Sequence, residues 1–86
     1  MIYEFKAENI TRPQMVKLVK ELEDKGVEVE HANMDAWFTN HALLVITCSD
    51  EAAAKKVRDR IWELNQGLYC GMYGITEEQL NEYIEE

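Results

Sequence analysis

Eighty-six residues make one domain, and 17 acidic against 9 basic side chains leave a formal net charge of −8 with histidine neutral. At 47% hydrophobic and 30% charged, with one proline and four glycines, the chain is too apolar to be disordered. A domain this short buries only about 60% of its unfolded surface, so its stability is expected to be marginal without caps, a partner or a second copy.

The sign of the charge argues against binding to nucleic acid or an anionic membrane, since both require a surplus of Lys and Arg. The opening Met1-Ile2-Tyr3-Glu4-Phe5-Lys6 has no basic run followed by a long apolar one, so neither a signal peptide nor a membrane span is expected, and a cytoplasmic location is. Cys48 and Cys70 form no CxxC pair, and both are expected to be reduced and buried.

In chain order, Tyr3 and Phe5 alternate with Glu4 and Lys6 as a half-buried strand requires. Thr11 and Gln14 have capping-box spacing, and Ile10 is placed to staple onto Met15. Met15, Val16, Leu18, Val19 and Leu22 then recur at three- and four-residue intervals, predicting a helix over about 12 to 25 that stops at Gly26. Val27 and Val29 alternate with Glu28 and Glu30 in a second strand that runs less regularly toward Trp37 and Phe38. Thr39-Asn40-His41 can close a hairpin onto the run from Ala42 to Cys48, which is apolar on both faces as a central strand should be. Ser49 reads as the N-cap of a second helix with Ala54, Val57, Ile61 and Leu64 turned inward, ending at Asn65-Gln66-Gly67. A fourth strand is expected from Leu68 to Tyr73, with Gly71-Met72-Tyr73-Gly74 as a bulge or turn. Thr76 and Gln79 repeat the capping box ahead of a short helix carrying Leu80, Tyr83 and Ile84 on one side.

The order β-α-β-β-α-β plus one helix fits a ferredoxin-like α+β sandwich, with four antiparallel strands in spatial order 4-1-3-2. Residues 1–75 would form the core, and 76–86 an acidic C-terminal helix packed on it. In that order Cys48 and Cys70 lie two strands apart, about 9 to 10 Å across the sheet and beyond disulfide reach.

The stretch from Leu43 to Ala53, followed by the second helix, Leu64-Asn65 and a short strand, resembles the second half of an RNA recognition motif. The resemblance covers roughly a third of the chain and implies the same fold. In that family aromatic side chains of the central strands stack RNA bases. Here the matching positions are Leu43 and Val45, with His41 where Lys or Arg is expected, so the topology carries over and RNA binding does not. With Leu44, Ile46 and Cys48 toward the helices, Leu43, Val45, Thr47 and Ile2 form an apolar open face. Either the terminal helix or a second subunit must cover it.

No hydrolase, zincin, nucleotide-loop or dinucleotide motif occurs, and no enzyme activity or cofactor is expected. His31, His41, Asp35 and Cys48 have no metal-ligand spacing, and the glutamates at the C-terminus do not form a calcium loop. Trp37 and Phe38 are adjacent in an extended segment, so one ring should reach the surface unless a bulge or loop covers both. Trp62 lies off the inward stripe and either packs under a loop or offers a second apolar contact. The expected function is therefore a small non-catalytic protein-binding module, monomeric or homodimeric, that inhibits or regulates a basic or nucleic-acid-handling protein. Its contact residues would be Trp37, Phe38, Glu28, Glu30, Glu77, Glu78 and Glu82. The alternative is a homodimeric ligand- or metal-sensing domain.

Overall fold

Tyr3, Phe5 and Ala7 turn to one side of the first strand, β1 (Ile2–Ala7), and all three are buried there. The structure is a computed structural model and describes residues 1–34 and 41–84, without the Ile84 side chain. Trp37, Phe38 and Asp35 fall outside the described residues, as do Glu85 and Glu86. After β1 come α1 (Arg12–Asp24), β2 (Glu28–Met34), β3 (Ala42–Thr47), α2 (Glu51–Leu64), β4 (Cys70–Ile75) and α3 (Glu77–Ile84). The strands form one antiparallel sheet in the order β2-β3-β1-β4, the ferredoxin-like arrangement the element order implies.

Both capping boxes form. The Thr11 hydroxyl accepts the Gln14 amide at 3.3 Å while the Gln14 side chain accepts the Thr11 amide at 2.9 Å. Thr76 and Gln79 repeat this at 3.2 and 2.9 Å. Each box satisfies two amides that a helix start leaves without intrahelical partners. The Gln14 amide group also donates to the Leu64 carbonyl, tying the start of α1 to the end of α2.

The main core lies between sheet and helices. Phe5, Leu18, Leu44, Ile46 and Ile61 are all but inaccessible to solvent, joined by Ile10, Met15, Leu22, Ala54 and Val57. Val16, assigned to the inward stripe by its spacing, is instead 64% exposed on the wall of a groove between α1 and β2. Asp50 rather than Ser49 caps α2, accepting the Ala53 amide at 2.9 Å. A carboxylate at that position also suits the positive end of the helix.

Past α2, Gln66 and Gly67 both adopt positive φ, and the chain turns around the fully buried Asn65. The Asn65 side-chain amide donates to the carbonyls of Glu8, Leu68 and Tyr69, fastening the β4 approach to the end of β1. The fourth strand begins at Cys70, two residues later than its sequence suggests, and continues through Gly74 to Ile75. It contains no bulge: all six residues pair with β1 in register. Gly71 serves a different purpose. A Cβ there would lie 2.6 to 2.7 Å from the Tyr69 hydroxyl and the Tyr73 ring, whose side chains close over the glycine and hydrogen bond to each other at 2.7 Å.

Cys48 and Cys70 are free thiols. They are separated by β1, and the register adds a displacement the strand order alone does not contain. Cys70 pairs with Ala7 at one end of the sheet, while Cys48 follows Thr47, which pairs with Ile2 at the other. The separation along the strands is thus about 20 Å, well beyond the expected 9 to 10 Å.

Candidate functional site: the acidic face of the sheet

On the face turned away from α1 and α2, one cross-strand row reads Tyr73, Glu4, Val45, His31. Tyr83 of α3 spans this row. Its hydroxyl donates to Glu4 Oε2 at 2.7 Å, and its ring stacks on His31 with centroids 5.6 Å apart. Val45, between these two anchors, has no exposed surface, and Leu80 is buried on the same side. Val45 and Leu80 are thus buried outside the main core. The face that a sheet-to-sheet homodimer would use carries α3. Glu4 is itself buried and is contacted by Lys6 at 3.4 Å in addition to Tyr83, so its carboxylate is not left unpaired.

His31 reaches this face because β2 contains a bulge. Val29 pairs with Ile46 and His31 with Val45, leaving Glu30 as the extra residue. A bulge places two consecutive residues opposite one. Glu30 therefore also serves the open side, where its carboxylate accepts the Thr47 hydroxyl at 3.0 Å. Beyond the bulge, Met34 rather than an odd-numbered residue packs toward the core. The sequence carries the signal: apolar positions shift from odd (Val27, Val29) to even (Ala32, Met34) across Glu30.

The bulge and α3 together bring five of the expected contact residues to one side of the molecule. Glu28 and Glu30 stand on β2, and Glu77, Glu78 and Glu82 on α3, which packs against β2. Glu28, Glu77, Glu78 and Glu82 are exposed, and none of the four makes an ion pair among the described residues. The strands and α3 together hold six glutamates and a single base, Lys6.

The helical layer differs. α1 and α2 with their caps hold eight bases against seven acids, and many of these are paired. Arg60 binds Glu21 through two nitrogens at 2.8 and 2.9 Å and Glu63 at 3.0 Å, clamping the two helices together. Hydrogen bonding to Arg60 holds the Glu21 carboxyl below its usual range, and the same contacts raise the guanidinium. Lys55 pairs with Glu51, and Arg58 with Asp59. Trp62 lies at the surface of α2 with the Arg58 guanidinium 4.5 Å above its ring, so its off-stripe position serves a cation–π contact.

Among the described residues, the histidines and the cysteine weighed as metal ligands are not gathered. His41 precedes β3 and contacts Glu8 at 3.5 Å, and Cys48 follows β3 and donates to the Asp50 carbonyl. The six residues of β3 put about 20 Å between them. Among the described residues no group of three or more His, Cys, Asp or Glu side chains is placed to hold a metal ion. Burial pushes the Cys70 thiol up to about 11 against the opposing effect of Arg58. Among the described residues no helix is long and apolar enough to cross a membrane. Comparison of the chain with protein-family models, curated proteins and solved structures finds no match.

Proposed function

We propose that this chain is a non-catalytic protein-binding module of the cytoplasm that docks on a basic protein through Glu28, Glu30, Glu77, Glu78 and Glu82. Trp37 and Phe38, which follow β2 in the chain, are proposed as its apolar anchors. The observation that carries this reading is the segregation of charge. The helical layer is close to neutral, with bases and acids in nearly equal number, while the sheet and α3 hold almost only carboxylates, four of them exposed and without an ion pair among the described residues. A single-signed surface raises the encounter rate with an opposite charge and imitates the phosphate backbone that basic grooves accept. On this reading the partner is a nucleic-acid-handling protein whose groove the acidic face occupies, making the chain an inhibitor or regulator. Three features support leaving RNA itself out of the reading. Leu43 and Val45 offer no ring where an RNA recognition motif stacks its bases, Tyr83 spans Val45, and the surrounding charge is negative.

The test is capture from a native lysate by the immobilised chain at about 0.05 and 0.5 M salt, where the Debye length falls from well over 10 Å to a few Å. The expected result is a basic partner held at low salt and released at high salt. That partner should be lost when the five glutamates are changed to glutamine, and retained when Glu23, Asp24 and Asp59 of the helical layer are changed to amides. Equal retention by both variants would remove the acidic face from the account. Loss with Trp37→Ala/Phe38→Ala tests the anchors separately.

A further inference from the structure

The sheet has two outer edges of different character. β2 carries Glu28, Glu30, His31 and the bulge, all features that discourage addition of another strand. β4, which reads Cys70-Gly71-Met72-Tyr73-Gly74-Ile75, has no charge, no proline and no break in its pairing with β1. The Tyr69 carbonyl accepts the Glu8 amide, so Tyr69 and every second residue after it direct their backbone groups at β1. By the same alternation the amides and carbonyls of Cys70, Met72 and Gly74 point outward, and no turn, loop or cap bond takes them up among the described residues. Exposed apolar bulk collects here too: Leu68, Tyr69 and Tyr73 are each about half exposed, at 49, 52 and 47%.

We propose that β4 pairs antiparallel with β4 of a second copy of this chain, with Met72 on the two-fold axis, joining two four-stranded sheets into one of eight strands. Symmetry favours a second copy, and charge restricts where that copy can approach. Two bodies of net charge −8 repel wherever their acidic surfaces meet, and the β4 edge offers an uncharged strip about 20 Å long. Pairing must then be antiparallel. Glu77 and Glu78 follow the end of β4, and a parallel pair would set both copies' acids side by side. The antiparallel pair separates them by about the strand length, more than two Debye lengths at physiological ionic strength. The outward groups of Cys70, Met72 and Gly74 are symmetric about Met72, so the edge is complementary to itself, as a two-fold interface requires. In this register Gly71 faces Tyr73 of the second copy, and the Tyr69 and Tyr73 pairs of both copies meet on one face. A six-residue edge is a small interface, so the dimer is expected to dissociate at about micromolar concentrations.

Sedimentation over about 5 to 200 µM reads the association directly. The native chain is expected to pass from monomer to dimer, and Tyr73→Glu to remain monomeric with an unchanged circular dichroism spectrum. In a Cys48→Ser background, Met72→Cys would stand opposite itself at about 5.5 Å between Cα atoms, inside the range a disulfide spans. Oxidised glutathione should therefore convert it to a covalent dimer much faster than Lys55→Cys on α2. A native chain still monomeric at about 200 µM, with Met72→Cys crosslinking no faster than Lys55→Cys, would overturn the proposal. A dimer that survives Tyr73→Glu and fails to crosslink at Met72→Cys would overturn it as well, by assigning the contact to another surface.

Discussion

One sheet is covered on both sides, by layers of unequal weight. The α1/α2 layer buries Leu18, Leu22, Val57 and Ile61 against Phe5, Leu44 and Ile46, and its surface charges nearly balance, with Arg60 pairing Glu21 and Glu63. The α3 layer is a single eight-residue helix held by Leu80 and by Tyr83 bridging Glu4 and His31, with carboxylates outside. An isolated helix of this length is unstable in water, so its order depends on those few contacts. The contrast separates two tasks within 86 residues: one side supplies stability, and the other concentrates charge on a lightly attached element.

The largest expected effect tests the inequality of the layers. Leu44→Ala, in the main core, should cost about 3 to 5 kcal/mol, a large part of the stability of a domain this size, and unfold or nearly unfold it. Leu80→Ala should cost about 2 kcal/mol and act locally. Hydrogen exchange of the Leu80 variant should show α3 amides losing protection while those of β1 and β3 keep theirs. Equal loss everywhere would mean that both layers belong to one cooperative unit.

A smaller change probes the bridge. Tyr83→Phe removes the hydroxyl bonded to the buried Glu4 carboxylate and should cost about 1 to 2 kcal/mol. That is about 4 to 16 °C in thermal midpoint for a domain of this size. The stacking on His31 should survive, so α3 should stay in place.

The smallest effect concerns the helical layer and depends on pH. Because Arg60 depresses the Glu21 carboxyl in the folded state, the contribution of that pair is present above the unfolded value and lost as pH falls through the folded one. The thermal midpoint of the native chain should therefore exceed that of Glu21→Gln at pH 7, with the difference closing as pH drops below the ordinary glutamate range. A difference that persists unchanged at low pH would mean that Glu21 acts by packing rather than charge.

Much of this architecture is legible in the sequence because local signals agree. Thr11-x-x-Gln14 and Thr76-x-x-Gln79 start their helices as written, and the apolar run from Ala42 becomes the central strand β3. Features that depend on neighbouring strands are harder to read. The bulge at Glu30 shows only as a change of parity, and it decides that His31 meets Tyr83. Gly71 reads as a break in a strand, yet its missing Cβ makes room for two tyrosine side chains. Tyr69 and Tyr73 attract no notice until the strand order puts them at an open edge. The charge segregation lies between these cases. Lys6 is the one base within the strands and α3, which is readable once elements are assigned, but α3 must fold over the sheet before the five glutamates share a side.

Titration with a short lysine-rich peptide, followed by the amide chemical shifts of the native chain, tests the acidic face most directly. Shifts should concentrate on Glu28, Glu30 and the α3 residues Glu77, Glu78 and Glu82, leave α1 and α2 unmoved, and vanish at about 0.5 M salt, where screening reaches a few Å. Shifts spread evenly over α1 and α2, or unchanged by salt, would contradict the assignment of binding to this side of the molecule.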